Sequence, residues 1–540
     1  MSKIVCRTCG APNNAGEIHC QRPGCGQLLD DARSLADRFG PLPATGTLHS
    51  ISWWERKKKP VVAVMLACLT FLAAVLPLAM LVLATPETPV PPPTLTPPLS
   101  RDGLGVVNEN GENIGVNDGL HRTINVRFTP NILKNDNNDG EDLIYKENLR
   151  FSSKPYITLV IGVAFSSSNS TSQESILQGA YIAQREFNRT SNSVKLRLLI
   201  ANVGSELSDA VPHVAQQIVQ IAKQDHYVVG VLGWPHSSSL LKAIDVLKAA
   251  KIPMVSQSAS SDDLSDISPY FFHIAPLNQE QAEAAQYFVR TLQATRAVVF
   301  RDPNNADSQN TAEDFEKNLG DYVLIKKNFI VGQTNEKDFE TKIQEALELQ
   351  PDVFYFAGAS DQDMSAFQDA LPTSGPFARL PVISENFGYV MHPNSHDRWY
   401  FTSFAFHDAW QALGGKYNPF FDDLVNEFDP GQQHKGQYGY ERADAMTILT
   451  YDAVRVLLQG VQNAKKVGAK ITPQSLTNGL SRIDSAHPVQ GVSGQIAFDE
   501  HHDPINKSVV LLYVPGGHTN MLCAYGVFFA KDSKLSSKCV

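Results

Sequence analysis

Apolar runs alternate with helical periodicity through most of the chain after about Tyr156. Residues 157–165 read ITLVIGVAF, which predicts a strand buried on both faces, and Ile176, Ala180 and Ala183 then form one stripe of a helix. Further strands are predicted at residues 194–201, 228–233, 252–256, 270–274, 297–300, 322–330, 352–356, 380–384 and 509–514. This repeated alternation predicts parallel sheets with right-handed crossovers.

The strand and helix series occurs twice, which predicts an α/β fold of two Rossmann-like lobes with parallel sheets, joined by a hinge. We assign residues 156–535 to this two-lobed ligand-binding domain. Lobe 1 is expected mainly at 156–276 and 403–480, and lobe 2 mainly at 277–402 and 485–520.

A separate apolar segment lies far upstream of the lobes. Residues 61–84 carry no charge and predict one transmembrane helix, since about 20 apolar residues cross a bilayer. A signal peptide fits less well, because the segment preceding the apolar residues is too long. A buried core helix also fits less well, because no face of the segment is polar. The basic run at 56–59 precedes the segment, and the next basic residue beyond it is Arg101. The positive-inside bias therefore predicts a single-pass cell-membrane protein with a cytoplasmic N-terminus and extracellular lobes.

Four of the seven cysteines lie near the N-terminus, in residues 1–33. Cys6, Cys9, Cys20 and Cys25 form two pairs, each followed by glycine. Four thiolates in two turns suit tetrahedral zinc, and so short a segment needs metal to fold. We therefore expect a zinc ribbon with a structural zinc ion. The alternative, two disulfides, conflicts with a cytoplasmic location.

Two connecting segments flank the predicted membrane helix. Residues 34–60 are a cytoplasmic juxtamembrane segment, and residues 85–155 are predicted to be a linker. Proline dominates the linker at 86–98, and Asn, Asp and Gly are frequent at 101–150, so we expect an extended spacer followed by a loose tether.

Composition narrows the range of partners. The net charge is -10 and the pI is about 5.8, and no basic stripe appears in the large domain, so nucleic acid is not an expected partner. The chain is 43% hydrophobic and 19% charged, and its length allows two or three domains.

Serine clusters follow three strands of the first lobe. Ligands of open parallel sheets bind outside the carboxyl ends of the strands, where helix N-termini supply free N–H groups. Serine is also a common cap and loop residue, and Trp234 is either a core residue or an apolar wall of the site. The candidate ligand-binding residues of this lobe are Ser167, Ser168, Trp234, Ser237, Ser238, Ser258 and Ser260.

Acidic residues follow two strands of the second lobe. Asp361 comes after the strand at 352–356, and Glu385 comes directly after the strand at 380–384. A carboxylate here would bind an amine, giving a site that recognises an anion on one lobe and a cation on the other. Asp361 is equally well explained as a helix cap, whereas a lone charge after a buried strand needs a partner.

Several stretches together resemble the extracellular ligand-binding proteins of the type I periplasmic-binding fold, in particular the leucine/isoleucine/valine-binding group. They are IGVAFSSSNS with ILQGAYIAQREFN, then GVLGWPHSSSLLKAIDVLKAAKIPMVSQSASSDDLS, YFFHIAPLNQEQAEAAQYF and GVSGQIAFDEHHDP. The resemblance implies that Ser237 to Ser239, with Ser258 and Ser260, hold a ligand carboxylate and that Glu385 receives its ammonium. It also implies a solute-binding protein for an ABC transporter.

The chain departs from this family at two positions of the second lobe. Residues 304–307 read NNAD after the strand at 297–300, where the family often has an aromatic residue, and Ala359 and Ser360 stand in place of tyrosines. The ligand is therefore expected to be a small polar molecule, an amino acid or a related compound, captured by hinge closure.

Other functions have weaker support. The sequence has no Gly-x-Ser-x-Gly elbow, phosphate loop or dinucleotide fingerprint, so we do not expect an enzyme. The alternative to transport is a ligand sensor that signals through the membrane segment or a partner protein, because transport does not require a cytoplasmic ribbon. A sugar-responsive repressor is disfavoured, since the membrane helix separates the ribbon from the lobes.

Two further groups of residues have alternative interpretations. His501 and His502 lie between acidic residues and are interpreted as a polar turn in preference to a metal site. Cys523 and Cys539 lie in the predicted extracellular part, and the sequence leaves open whether they pair.

Overall fold

The computed structural model describes a short N-terminal hairpin and most of the chain from residue 139 onward. The described residues are 3–5, 12–14, 105–109, 112–117, 139–151, 154–165, 170–191, 193–205, 209–317, 319–358, 360–385, 399–410, 413, 416–513, 523–531 and 534–536.

Near the N-terminus, β1 (Lys3–Val5) pairs antiparallel with β2 (Pro12–Asn14). These strands flank Cys6 and Cys9, but all four predicted zinc ligands lie outside the described residues. The predicted membrane helix at 61–84 lies outside them as well. Among the described helices, none is both long and apolar enough to cross a bilayer. The ribbon and the membrane helix therefore remain predictions.

Lobe 1 contains a seven-stranded sheet whose order is β3-β4-β6-β5-β7-β8-β9. Its strands are β3 (Gly105–Glu109), β4 (Glu112–Val116), β5 (Tyr156–Val163), β6 (Lys195–Asn202), β7 (Val228–Leu232), β8 (Met254–Ser256) and β9 (Phe271–His273). Strands β5 to β9 pair in parallel, as predicted, whereas β3 and β4 are antiparallel to their neighbours.

Helices cover both faces of this sheet. They are α1 (Gly140–Arg150), α2 (Ser170–Thr190), α3 (Val211–Gln224) and α4 (Ser237–Ala250). Alternate residues of β5 enter different cores: Leu159 and Ile161 pack on one face with the α2 stripe, and Val160 packs on the other with α3 and α4. The predicted strand buried on both faces is thus confirmed.

Residues assigned to the linker form part of lobe 1, so the prediction of a loose tether up to residue 155 is wrong for them. Strands β3 and β4 extend the sheet through β6, and α1 packs on α2 and β6. Asn148 fixes α1 to β6: its Nδ2 donates to Leu198 O at 2.8 Å, and its Oδ1 accepts from Leu198 N at 3.1 Å. The folded domain therefore begins before Tyr156.

Lobe 2 contains an eight-stranded sheet of order β11-β10-β12-β13-β14-β17-β18-β19. Its strands are β10 (Ala297–Arg301), β11 (Val323–Asn328), β12 (Val353–Phe356), β13 (Val382–Ser384), β14 (Trp399–Ser403), β17 (Ser508–Tyr513), β18 (Cys523–Phe529) and β19 (Lys534–Ser536). Strands β10 to β14 are parallel, and β17 to β19 add antiparallel neighbours. Both sheets are therefore mixed, and only their central strands are parallel as predicted.

Four helices pack on the lobe 2 sheet: α5 (Asn278–Thr291), α6 (Ala306–Lys317), α7 (Glu336–Leu347) and α8 (Asp361–Asp369). One face buries Phe354 and Phe356 of β12 with Phe339 and Phe367 of α7 and α8. The other face buries Tyr355, whose ring stacks on Phe315 of α6 at a centroid distance of 3.7 Å. Successive side chains of β12 thus enter the two hydrophobic cores on opposite faces of the lobe 2 sheet.

The chain crosses between the lobes three times: after β9, after β14, and before β17. Between the second and third crossings lie α9 (Phe420–Phe428), α10 (Ala445–Lys466), α11 (Pro473–Leu480) and the hairpin β15 (Val489–Gly491) with β16 (Gly494–Ile496). Helix α10 packs on α2, α11 packs on β7, and β15 packs on α10. Residues 485–507 therefore belong with lobe 1, and the chain returns to lobe 2 at Ser508, later than predicted.

Candidate functional site

The loops after β7 and β8 meet at the carboxyl edge of the lobe 1 sheet. Ser258 Oγ donates to Pro235 O at 2.9 Å, and Ser256 Oγ donates to Trp234 O at 3.0 Å. Both serines are buried. Their hydroxyls hold one loop against the other and fix the position of the first turn of α4.

Ser237 begins α4 and connects the same two loops. Its Oγ accepts from the backbone N–H groups of Ser260 and Ser261, each at 3.3 Å. Ser260 O in turn accepts from Asn278 N at 2.8 Å, which fixes the start of α5 in lobe 2. Ser238, the next residue of α4, is half-buried. The structure thus brings Ser237, Ser258 and Ser260 together as predicted, and it gives Ser237 and Ser258 structural partners.

Trp234 lies in the core, which is the first of its two interpretations from the sequence, and its placement among the candidate ligand-binding residues is corrected. Its side chain is fully buried in the cluster beneath α3 and α4. The ring lies against Gly162, where an added Cβ would come within 3.3 Å of Trp234 Cδ2. Gly162 of β5 has no side chain, and this leaves room for the indole ring of Trp234 directly after β7.

Three buried side chains at this edge have polar atoms without a hydrogen-bond partner among the described residues. They are Ser239, through Oγ, Gln257, through both atoms of its amide, and Trp234, through Nε1. Gln257 directly follows β8 and was not among the binding residues predicted from the sequence, which were the neighbouring serines. A large buried amide immediately after a strand is the signal that would have identified it, because burial without partners is costly.

Glu385 directly follows β13 at the facing edge of lobe 2. It is 5% exposed, and Oε2 lies 2.9 Å from Thr311 Oγ1 of α6. Oε1 is buried without a partner among the described residues. Burial raises the pKa of Glu385 well above its usual range, the Thr311 hydrogen bond opposes this, and the charge of Asp307 adds to it. The carboxyl group therefore has one oxygen available for a donor or cation that the described chain does not supply.

Other predicted residues are only partly described. Asp361 is the first residue of α8, but Ser360 is the cap, since its Oγ accepts from Asp363 N at 3.2 Å. The Asp361 side chain lies outside the described residues, as do Ser167 and Ser168. Their predicted contacts with a ligand therefore stay predictions.

Helix α6 connects the two edges of the site. Asn310 Oδ1 accepts from Asp262 N of lobe 1 at 3.2 Å and from Asn278 Nδ2 at 3.3 Å. The next residue, Thr311, contacts Glu385. Glu385 is thus linked through two consecutive residues of α6 to a loop that begins with Gln257 and Ser258.

The histidine pair occupies a turn, as the sequence suggested. His501 Nδ1 lies 3.0 Å from Asp266 Oδ1, and His502 Nδ1 lies 3.2 Å from Phe271 O. Among the described residues, no group of three or more potential ligands is placed to hold a metal ion. Cys523 begins β18, but its side chain and Cys539 lie outside the described residues. Pairing of these two cysteines stays untested.

Several solved structures share this fold. The branched-chain amino acid transporter substrate binding protein LivJ from Streptococcus pneumoniae, in complex with isoleucine, gives a TM-score of 0.56 at 18% identity, covering 69% of this chain and 99% of that one. The leucine binding protein LivK from Thermotoga maritima gives 0.55 at 19% identity, covering 70% and 99%. A solute binding protein of an ABC transporter from R. palustris, in complex with 4-hydroxybenzoate, gives 0.54 at 15% identity, covering 71% and 96%.

No curated protein sequence matches the chain. The family described as periplasmic binding protein matches residues 157–518, which is more than half of the chain. This range extends from β5 to just beyond β17 and includes the described site residues of both lobes. The chain therefore belongs to the periplasmic binding protein family.

Proposed function

We propose that this protein is a membrane-anchored extracellular solute-binding protein that captures a small polar ligand by closing its lobes around it. The observation that carries this proposal is the pair of buried side chains at facing strand ends, Gln257 in lobe 1 and Glu385 in lobe 2. Each has polar atoms without a partner among the described residues. Buried polar atoms are nearly always hydrogen-bonded, so a ligand is the natural partner for both.

The two edges favour a ligand with different groups at its two ends. The first turn of α4 supplies free N–H groups and the positive end of a helix dipole, beside Ser238 and Ser239, which suits a carboxylate. Glu385 offers a carboxyl oxygen that suits an amine. An amino acid or a related compound satisfies both ends. The structural neighbours bound to isoleucine and 4-hydroxybenzoate both hold carboxylates.

The second lobe limits the apolar part of the ligand. Residues 304–307 supply no aromatic ring, and Asn304 is exposed. Asp302 instead closes this loop on itself, since its Oδ1 accepts from Asn304 N at 2.9 Å and its Oδ2 accepts from Val331 N at 2.8 Å. A small polar ligand therefore suits this side of the site better than a large aromatic one.

The proposed anchor is the apolar segment at 61–84, with the basic run at 56–59 holding the N-terminus in the cytoplasm. The proposed cytoplasmic module is a zinc ribbon held by Cys6, Cys9, Cys20 and Cys25. The pairing of β1 with β2 on either side of the first cysteine pair supports it. The structural zinc ion would stabilise a segment with little core.

The proposed partner is an ABC permease that receives the ligand from the closed lobes. The second candidate is a sensor that transmits closure through the membrane segment or to a neighbouring protein. The cysteine module on the opposite side of the predicted membrane helix favours this second candidate, because delivery to a permease does not require it.

The test is a thermal-shift screen of the full chain in detergent against amino acids, small peptides, sugars, amides and polyamines. A ligand that binds only the folded state raises the melting temperature with concentration. We expect an amino-acid hit whose shift is lost in Glu385→Gln and retained in the control Glu340→Gln, an exposed residue of α7. Equal shifts in wild type and Glu385→Gln would reject this site.

A further inference from the structure

The hydroxyl of Thr311 lies between two oxygen atoms at the amine end of the proposed site. Its Oγ1 lies 2.9 Å from the backbone oxygen of Asp307, one turn earlier in α6, and 2.9 Å from Oε2 of Glu385. A threonine hydroxyl has one proton to donate, and a backbone carbonyl oxygen can only accept. When Thr311 donates to Asp307 O, its contact with Glu385 is a hydrogen bond only if the carboxyl of Glu385 is protonated and donates.

The surroundings of Glu385 supply no positive charge that would hold a carboxylate. Its side chain is buried, and Oε1 has no partner among the described residues. Within the same residues, the titratable groups that face it are Asp307 of α6 and Tyr355 of β12, and neither is cationic. An unpaired charge is costly to bury, so the protonated carboxyl is the favoured form. The raised pKa of Glu385, which is due chiefly to burial, agrees with this.

We propose that Glu385 is protonated before binding and that an ammonium group of the ligand displaces this proton into solvent. The Oε2–H bond breaks, and the ammonium group donates to the resulting carboxylate at Oε1. The Thr311 hydroxyl turns from Asp307 O to Glu385 Oε2, which it then serves as donor. This inference rests on the amine site of the proposed function and adds that binding at this site releases a proton.

The pH dependence of affinity follows from this exchange. Below the pKa of Glu385, an ammonium group competes with a proton, so the affinity for an amino acid should rise with pH by up to about ten-fold per pH unit. The corresponding α-hydroxy acid carries a hydroxyl in place of the amine. It can donate to Oε1 without displacing the proton, so its affinity should not rise with pH.

The first measurement needs no ligand. The infrared C=O band of protonated carboxyl groups is recorded at neutral pH on the full chain in detergent, and it should be stronger in the wild type than in Glu385→Gln. The amide of this variant can donate to Thr311 as a protonated carboxyl does, so the variant should fold. The control Glu340→Gln, at an exposed position of α7, should keep the wild-type band.

The second measurement counts the protons released by the wild type on binding. Each amino acid that raises the melting temperature in the thermal-shift screen is titrated calorimetrically, beside its α-hydroxy analogue, in buffers that differ in ionisation enthalpy. We expect release of about one proton for each amino acid bound and none for the hydroxy acid.

The role of Thr311 as a positioning residue has its own variants. Thr311→Val removes the donor to the carboxylate, so amino-acid affinity should fall at neutral pH and recover at higher pH. Thr311→Ser retains the hydroxyl and should keep the pH profile of the wild type. A loss of affinity that is the same at every pH would contradict this role.

Two results would overturn the inference and leave the proposed function in place. One is an equal C=O band in the wild type and Glu385→Gln. The other is an amino acid whose binding depends on Glu385 but releases no proton from the wild type. If no amino acid raises the melting temperature, the proposed amine site is wrong, and this inference is wrong with it.

Discussion

At the scale of single residues, Gln257 combines a cost to folding with a proposed role in binding. Its amide is fully buried, and neither polar atom has a partner among the described residues. Gln257→Met keeps the size and removes the unpaired groups, so the unliganded protein should gain about 1 kcal/mol of unfolding free energy. Ligand affinity should fall in the same variant.

The matched control is Gln184→Met. This amide is also fully buried, but its Nε2 donates to Asn148 Oδ1 at 2.7 Å and to Leu196 O at 3.1 Å. Gln184→Met should lower the unfolding free energy by about 1–3 kcal/mol, because Asn148 Oδ1 and Leu196 O each lose a hydrogen-bond donor. Thermal melting with and without ligand measures both effects. A loss of stability in Gln257→Met would show that the amide has a structural partner.

Lys507 supplies a second prediction, because it is buried at the third crossing between lobes. Its Nζ donates to Ser493 O at 2.9 Å and to Ser493 Oγ at 2.7 Å. Burial lowers the pKa of Lys507 to about 8, although the charges of Asp452 and Glu280 oppose this. The unfolded side chain titrates near pH ~10.4. The unfolded state thus binds more protons between these values, and this residue's contribution to stability rises with pH.

Denaturant unfolding of the wild type and Lys507→Met at pH 8 and pH 10 measures this contribution. The difference in unfolding free energy should shift by about 2 kcal/mol in favour of the wild type at the higher pH. Lys531→Met, at an exposed position, is the control and should show no such shift. A difference that does not change with pH would mean that Lys507 is not desolvated.

Single residues also show the limit of sequence interpretation. The sequence correctly placed Ser237, Ser258 and Glu385 close after the ends of strands, because the positions and burial of those strands follow from the apolar pattern. It did not distinguish a hydroxyl that binds a ligand from one that ties two loops. That distinction depends on where Pro235 O and Ser260 N lie, which no local pattern encodes. Trp234 was misplaced for the same reason, since its packing partner Gly162 is on another strand.

At the scale of elements, α1 is the clearest addition to the predicted domain. Asn148 makes hydrogen bonds to both backbone groups of Leu198. Asn148→Ala should therefore lower the unfolding free energy by about 2–3 kcal/mol, because buried groups of β6 lose their partners. Lys146→Ala, on the exposed side of α1, should cost under about 0.5 kcal/mol. If chemical denaturation showed equally small losses of unfolding free energy for Asn148→Ala and Lys146→Ala, α1 would not be part of the folded domain.

The contact between α2 and α10 depends on a glycine. A Cβ at Gly179 would lie 2.2 Å from Thr447 O, so the two helix backbones would have to move apart. Gly179→Ala should cost about 2–3 kcal/mol of unfolding free energy. Gly431→Ala is the control, since its nearest contact would be the flexible side chain of Gln433 at 3.4 Å. A cost close to that of the control would contradict the close approach of these helices.

The elements that the sequence missed share a physical cause. Strands β5, β7, β10 and β12 carry nearly continuous apolar runs, which makes them recognisable, whereas β3 and β4 mix polar with apolar residues and flank Asn110 and Gly111. This Asn-Gly pair is typical of a hairpin turn, yet it was taken for part of a polar tether. The hairpin joins the lobe 1 sheet because β4 pairs with β6, which lies more than 80 residues downstream along the chain. No local pattern in the sequence predicts a partner so far away.

At the scale of the whole molecule, family membership and the buried polar side chains at the strand ends both support ligand capture between the two lobes. Two lobes connected by three crossings place Gln257 and Glu385 directly after strands of different lobes. Ligand contacts to both lobes would favour the closed arrangement, and the differential affinity for that state drives closure. The predicted membrane helix and zinc ribbon extend this account beyond the described residues and await their own tests.

The most direct test of ligand capture between the lobes is the distance between Ala249 of α4 and Gln344 of α7, two exposed residues. Fluorescence energy transfer between dyes attached at these positions measures this distance at constant pH, while the ligand from the thermal-shift screen is added to the full chain in detergent. The account predicts a saturable change in distance for the wild type and for Glu340→Gln, with no change for Glu385→Gln at the same concentrations. A ligand that raises the melting temperature while this distance stays constant would contradict capture by closure.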